Sequence, residues 1–176
     1  MKTTVALLLF LLSIPTFAQD VDADDMPEAV PNGSIGIGLG LDYGGIGLKV
    51  NVPFTPRMAF LFGGGYNLNG IGLNGGFAIH LAPPDAKVQP ALIGLYGYNA
   101  VIIVEGSSTF NKTYYGPSFG FALEFHGKKN FFNAGLLIPI RPASFNDDMD
   151  RLKSNGVHFG SVSPVAISLG YHFGGR

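Results

Sequence analysis

From Ser34 onward, apolar and small or polar residues alternate with a period of two, the side-chain period of a β-strand with one apolar face. Ile35, Ile37, Leu39 and Leu41 fall on one face of Ser34 to Asp42, with Gly36, Gly38 and Gly40 on the other. Gly45 to Phe54 sets Ile46, Leu48, Val50, Val52 and Phe54 against Gly47, Lys49, Asn51 and Pro53. The same rule holds in Ile71 to Leu81, Tyr115 to His126, Phe132 to Arg141 and Val165 to Phe173. Met58 to Tyr66 is interrupted by Gly63-Gly64-Gly65, and Ala91 to Val104 becomes apolar on both faces near Ala100. The pattern therefore predicts eight strands. Turn residues separate several of them, at Tyr43-Gly44, Thr55-Pro56-Arg57, Asn69-Gly70, Pro83-Pro84-Asp85 and Gly127-Lys128-Lys129.

The segment before Ser34 has a different character. Lys2, the apolar run Val5 to Leu12 and Thr16-Phe17-Ala18 have the order of a cleavable export signal, which places residues 1–18 outside the fold. The run is too short for a spanning helix, which needs about 20 residues. Residues 19–33 carry Asp20, Asp22, Asp24, Asp25 and Glu28 without a base and read as an acidic, disordered leader. The formal charge of -1 thus averages an acidic leader over a mildly basic body, since Ser34 onward holds seven acidic and ten basic residues. The chain has no cysteine, so neither a disulfide framework nor a lipid-modified cysteine anchor is available.

Composition decides what the apolar face meets. Of 176 residues, 26 are Gly and only 13% are charged. So few charges are unusual for a sheet face in water, whereas many small inward residues suit the crowded interior of a narrow barrel. A closed cylinder is also the only form in which a sheet sits in hydrocarbon without orphaned backbone groups. Most predicted strands approach the 9 to 11 residues, roughly, that cross a bilayer when tilted. The expected fold is an all-β, eight-stranded, antiparallel up-and-down transmembrane β-barrel over residues 34–173, followed by a short tail, 174–176. A soluble exported sandwich or lipocalin-like barrel is the alternative, and the absence of Trp weakens the lipocalin-like form.

The last strand, Val165-x-Ile167-x-Leu169-x-Tyr171-x-Phe173, resembles that of the eight-stranded outer-membrane barrels of Gram-negative bacteria, the class that includes the OmpA membrane domain and OmpX. The resemblance covers residues 34–173 as a pattern and departs at Gly174-Gly175-Arg176, where such chains often end on the aromatic. It implies that Tyr171 and Phe173 form a signal for the barrel-assembly machinery, that both termini are periplasmic, and that the surroundings are outer-membrane lipid and lipopolysaccharide. Connections Asp42 to Gly44, Leu68 to Gly70, Glu105 to Thr113 and Pro142 to Val162 then face outside, two short and two long.

Candidate chemistry is sparse. In the last outer loop, Ser144 three residues before Asp147 has the form of a capping box, and Asn155-Gly156 can end a helix. A short helix is predicted there, docking by Met149 and Leu152, with Asp147, Asp148, Asp150 and Arg151 as the outer-loop interaction residues. The inward ionisable residues are Lys49, Glu124, Arg141 and His80, the expected lumen polar network. Isolated charges in a low-dielectric lumen are costly and should pair. Strands two and six oppose each other in a ring of eight, which suggests a Lys49–Glu124 pair across the lumen, with Arg141 near the far rim left to the loop acids.

Outer-membrane barrels that modify lipid A need a His with a Ser or carboxylate on the outer side. His80, His126 and His172 fall on the other side, and His158 lacks the His-x-Ser spacing, with Gly160 and then Ser161 and Ser163 following it. Gly36-x-Gly38-x-Gly40 opens no helix and is no nucleotide loop. Four scattered histidines give no metal motif, and Lys128-Lys129 makes no basic stripe for nucleic acid. No catalytic residue, metal or cofactor is expected. The reading is a non-enzymatic outer-membrane barrel with a structural or surface-interaction role and an unidentified surface or periplasmic partner. The alternatives are a narrow channel, a lipid A-modifying enzyme and a soluble secreted β-protein.

Overall fold

The computed structural model describes residues 29–104, 110–160 and 162–175. The expected export signal, nearly all of the expected acidic leader, Glu105, Ser161 and Arg176 lie outside the described residues. Eight strands follow in order: β1 Ser34–Gly40, β2 Gly45–Thr55, β3 Met58–Tyr66, β4 Ile71–His80, β5 Val88–Ile102, β6 Lys112–His126, β7 Asn130–Pro139 and β8 Ala166–Gly174. Each pairs antiparallel with its neighbour, and β1 pairs with β8, so the sheet closes into a barrel without an edge. One helix, α1 (Ala143–Ser154), lies between β7 and β8.

The barrel is inside out relative to a soluble one. Ile37, Phe62, Leu73, Phe119, Leu136 and Ile167, from six different strands, all point outward and stay exposed. Their neighbours in sequence point inward, as the period of two requires. Side chains fill the middle of the barrel: Leu61, Ala78, Ile93, Leu95, Ala122 and Leu137 make an apolar cluster, with buried polar side chains beside it.

Two departures from the alternation have physical causes. β1 stops at Gly40 instead of running to Asp42. Gly40 has φ 137° and Gly44 φ 70°, conformations open to glycine, and between them Leu41, Asp42 and Tyr43 form a single 3-10 turn with all three side chains buried. The first hairpin loop therefore turns down into the lumen instead of standing on the rim. The second departure is a bulge between Tyr98 and Ala100 in β5. It resets the alternation, so Ala100 and Ile102 face inward above the barrel proper.

At that level they meet α1. Phe145, Met149 and Leu152 form its buried stripe and pack with Ala100, Ile102 and Tyr114, with the Tyr114 and Phe145 rings edge-to-face at 5.2 Å. The helix starts at Ala143 with Pro142 as its N-cap and no side-chain cap. Ser144 is already inside the first turn, so the capping box is not formed. The acids sit in mid-helix, while Arg151 and Lys153 occupy the last turn, where cations complement the helix dipole. Asn155 closes the helix and Gly156 follows with φ 85°. Tall β5 and β6 with α1 stand on one side of the rim, while β1 and the β3–β4 hairpin leave the opposite side low.

Candidate functional site

The inturned loop organises the lumen. Lys49 on β2 points inward, is only 1% exposed, and its Nζ lies 2.6 Å from Asp42 Oδ2. The same ammonium donates to Asn133 Oδ1 on β7 at 3.3 Å and sits 4.5 Å from the centre of the Tyr43 ring. Asp42 Oδ1 accepts a hydrogen bond from Ser168 of β8, and Asn74 of β4 donates to the Leu41 carbonyl. The Tyr43 hydroxyl is 2.7 Å from His172 Nε2, and His172 Nδ1 is 3.2 Å from Ser34 Oγ. Residues from β1, β2, β4, β7 and β8 thus hold one three-residue turn.

Glycine makes the space. A methyl group at Gly38 or Gly170 would run into the Tyr43 ring, and one at Gly63 into the Asp42 carbonyl. A methyl group at Gly72 would meet Gly44. Inward glycines on β1, β3, β4 and β8 therefore form the socket for the loop.

A second cluster lies at the mouth where β1 begins and β8 ends. Glu124 Oε2 is 3.3 Å from His80 Nε2 and 3.2 Å from His126 Nε2. His126 stacks on Phe131 at 4.6 Å between ring centres, and Phe131 stacks on His172 at 4.5 Å, joining this cluster to the first. A cavity of about 30 Å³ bordered by Asn51, His80 and Glu124 is room for about one water. Among the described residues, no three His, Asp or Glu side chains converge on a metal position.

Lys49, Glu124 and His80 all face the lumen, but the pairing differs from the expected one. Lys49 takes Asp42, and Glu124 takes the two histidines. The loop delivers a carboxylate that the extended reading of β1 left at the rim. Arg141 stands at the far rim; its Nη2 donates to the Ser163 carbonyl at 2.6 Å and its guanidinium lies 5.4 Å from the Phe145 ring centre. Its partners are thus a carbonyl and a ring, while Asp148 and Asp150 are engaged by other cations.

Asp148 receives Lys112 Nζ at 2.6 Å and the Tyr114 hydroxyl at 2.7 Å, both from β6, with Arg151 at 3.3 Å. The Lys112 and Tyr114 hydrogen bonds hold its carboxyl below the ordinary aspartate range. Asp150 pairs with Lys153 at 3.4 Å, and Asp147 is exposed. Asp148 is therefore a clamp for α1, leaving Asp147, Asp150 and Arg151 on the solvent side. Tyr171 and Phe173 point outward along β8, opposite Ile37 and Ile35 of β1, with their rings 5.2 Å apart. His158 is exposed on the segment after α1.

Sequence reasoning missed Asp42, Tyr43, His172, Asn133 and Ser168 as lumen partners. The usable signal was the run of inward glycines beside them, which marks space that something else must fill. No family model, curated protein or solved structure matches this chain.

Proposed function

We propose that this chain is a non-enzymatic outer-membrane β-barrel with a closed lumen, acting structurally or through the loops at its far end. The observation that carries the reading is the outward belt of large apolar side chains around a closed barrel whose polar groups are turned inward and paired. Contiguous exposed apolar surface on that scale has no place on a monomer in water, and the alternation matches lipid outside and a polar interior. The export signal supports the same address. In this orientation the termini are periplasmic, α1 and the β5–β6 hairpin face outside, and the solvent side of α1, with Asp147, Asp150 and Arg151, is the surface offered to a partner or to lipopolysaccharide. Tyr171 and Phe173 serve assembly.

The filled interior favours this reading over a channel. Tyr43, Lys49, Leu137 and His172 are all at most 1% exposed inside the barrel, which supports a closed lumen over the water-filled one of a porin. Membrane fractionation with heat-modifiable gel migration tests the reading. The folded chain should partition with outer membranes and migrate differently unheated and boiled. Recovery as a soluble periplasmic protein would overturn it. In planar bilayers the protein should show no steady conductance, and a stable open level would favour the channel.

A further inference from the structure

Three cavities at the far end share walls. The first, about 330 Å³, lies under α1 and is bordered by Asn99, Arg141, Phe145 and Met149. The second, also about 330 Å³, opens through the low side of the rim between Leu39, Ile46 and Ile167, which belong to the outward belt. Leu41, Tyr98, Val101 and Ala166 border both. The third, about 530 Å³, is the polar approach from the far-end surface, and it meets the first at Arg141, Phe145 and Met149. The three cavities thus adjoin in a row, which traces a path from a polar vestibule, beneath the helix, to an apolar side opening.

Two buried polar atoms lie along this path without a partner among the described residues. Asn99 is 2% exposed; its Nδ2 donates to the Ile140 carbonyl at 2.9 Å, which leaves Oδ1 as an acceptor with nothing to accept. Arg141 Nε is likewise buried and unpaired. An orphaned buried polar atom has lost its water without gaining a partner, so a ligand that supplies partners gains from both. Arg141 demands an acceptor, best an anion, and the remaining lining is apolar. Of the other charges at the vestibule, Asp150 is paired with Lys153, which leaves Arg141, among the described residues, the dominant charge facing the cavity under α1.

We infer that this path is a binding site for a single-chain fatty-acid carboxylate, its head at Arg141 and its tail passing Tyr98, Val101 and Ala166 toward the side opening. A hydroxyl near the head would satisfy Asn99 Oδ1. A cavity of about 150 Å³ accommodates benzene, so each 330 Å³ chamber takes a stretch of alkyl chain. The chambers fall within the ordinary range for small-molecule sites, about 300–1,000 Å³. Binding itself does not depend on the bilayer; only entry of the tail from the side rests on the membrane reading.

The chain has no Trp, so a Tyr98→Trp variant carries a single reporter at the shared wall. In the folded, amphipol-held full chain, brominated dodecanoate should quench that fluorescence saturably. Arg141→Gln in the same background should weaken the apparent affinity at least tenfold, and Arg141→Lys should restore part of it. Ala166→Phe should block quenching; if it fails to fold, as judged by heat-modifiable migration, Val101→Phe takes its place. Dodecanoate quenching that never saturates, or is matched by brominated dodecylamine and indifferent to Arg141→Gln, would overturn the site. Equal quenching by brominated phosphatidylcholine would also overturn it, assigning the path to ordinary lipid tails. These outcomes are read in amphipol, so they stand or fall separately from membrane fractionation.

Discussion

Lys49 Nζ and Asp42 Oδ2 meet at 2.6 Å in the middle of the barrel, seven residues apart in sequence and both sealed from solvent. The pair exists because the first hairpin turns inward, so a carboxylate from the end of β1 reaches a cation halfway down β2. Breaking such a pair from one side leaves an uncompensated buried charge, at a cost of about 3–5 kcal/mol. Lys49→Met should therefore destabilise the folded barrel by that order. Lys49→Met combined with Asp42→Asn, which keeps an acceptor for Ser168, should cost clearly less. Urea unfolding in lipid vesicles, followed by gel migration, measures both.

The Tyr43 socket makes a steric prediction. Gly170→Ala forces a methyl group against the Tyr43 ring and hydroxyl, and overpacking of this kind costs about 1–3 kcal/mol. Tyr43→Phe alone loses the hydrogen bond to His172, a cost of about 1–3 kcal/mol if His172 is left unsatisfied. Because the two changes act on one contact, the double variant should be less destabilised than the sum of the singles. Strict additivity in the same unfolding assay would place the loop outside the lumen.

Removing the plug should open the barrel. Tyr43→Ala with Lys49→Ala deletes the two largest side chains of the polar half of the lumen, both buried in the native protein. The native protein should be silent in planar bilayers, and the double variant should give brief, small conductance events. A silent double variant that folds normally would mean that Leu137 and the apolar cluster alone close the path.

The clamp on α1 gives a pH dependence. The Asp148 carboxyl is held below its ordinary range by hydrogen bonds from Lys112 and Tyr114. A group with a lowered pKa in the folded state stabilises docking above its ordinary pKa, and that contribution fades as pH falls through the lowered value. Helix α1 should therefore stay docked at neutral pH and loosen only in acid below the usual aspartate titration. Hydrogen exchange of residues 143–154 should rise there in the native chain. In Asp148→Asn it should be faster at neutral pH and nearly indifferent to acid.

How much of this was legible in the chain follows from which physics acts locally. The period of two is imposed by strand geometry on each residue, so the eight strands and the outward apolar face could be read directly. Met149 and Leu152 were legible as docking residues because helix periodicity is equally local. The fate of Leu41-Asp42-Tyr43 was not. Alternation alone carries β1 on to Asp42, and only the meeting of distant glycines, Gly38, Gly63, Gly72 and Gly170, makes the inward turn feasible. The wrong partners for Lys49 and Glu124 follow from that single miss. Pro142, by contrast, displaced the expected Ser144 cap through its own backbone: its extended conformation ends the preceding segment and starts the helix two residues early.

The bilayer is the central claim, and accessibility of the outward belt tests it most directly. The chain has no cysteine, so single spin labels can be placed cleanly at Leu136, Ile138, Ile167 and Leu169, which point outward, and at Asn133 and Ser168, which point inward. In reconstituted vesicles the outward labels should collide freely with oxygen, which concentrates in hydrocarbon, and hardly at all with a water-soluble nickel complex, while the inward labels should be shielded from both. Outward labels that relax readily with the nickel complex would contradict a barrel embedded in lipid.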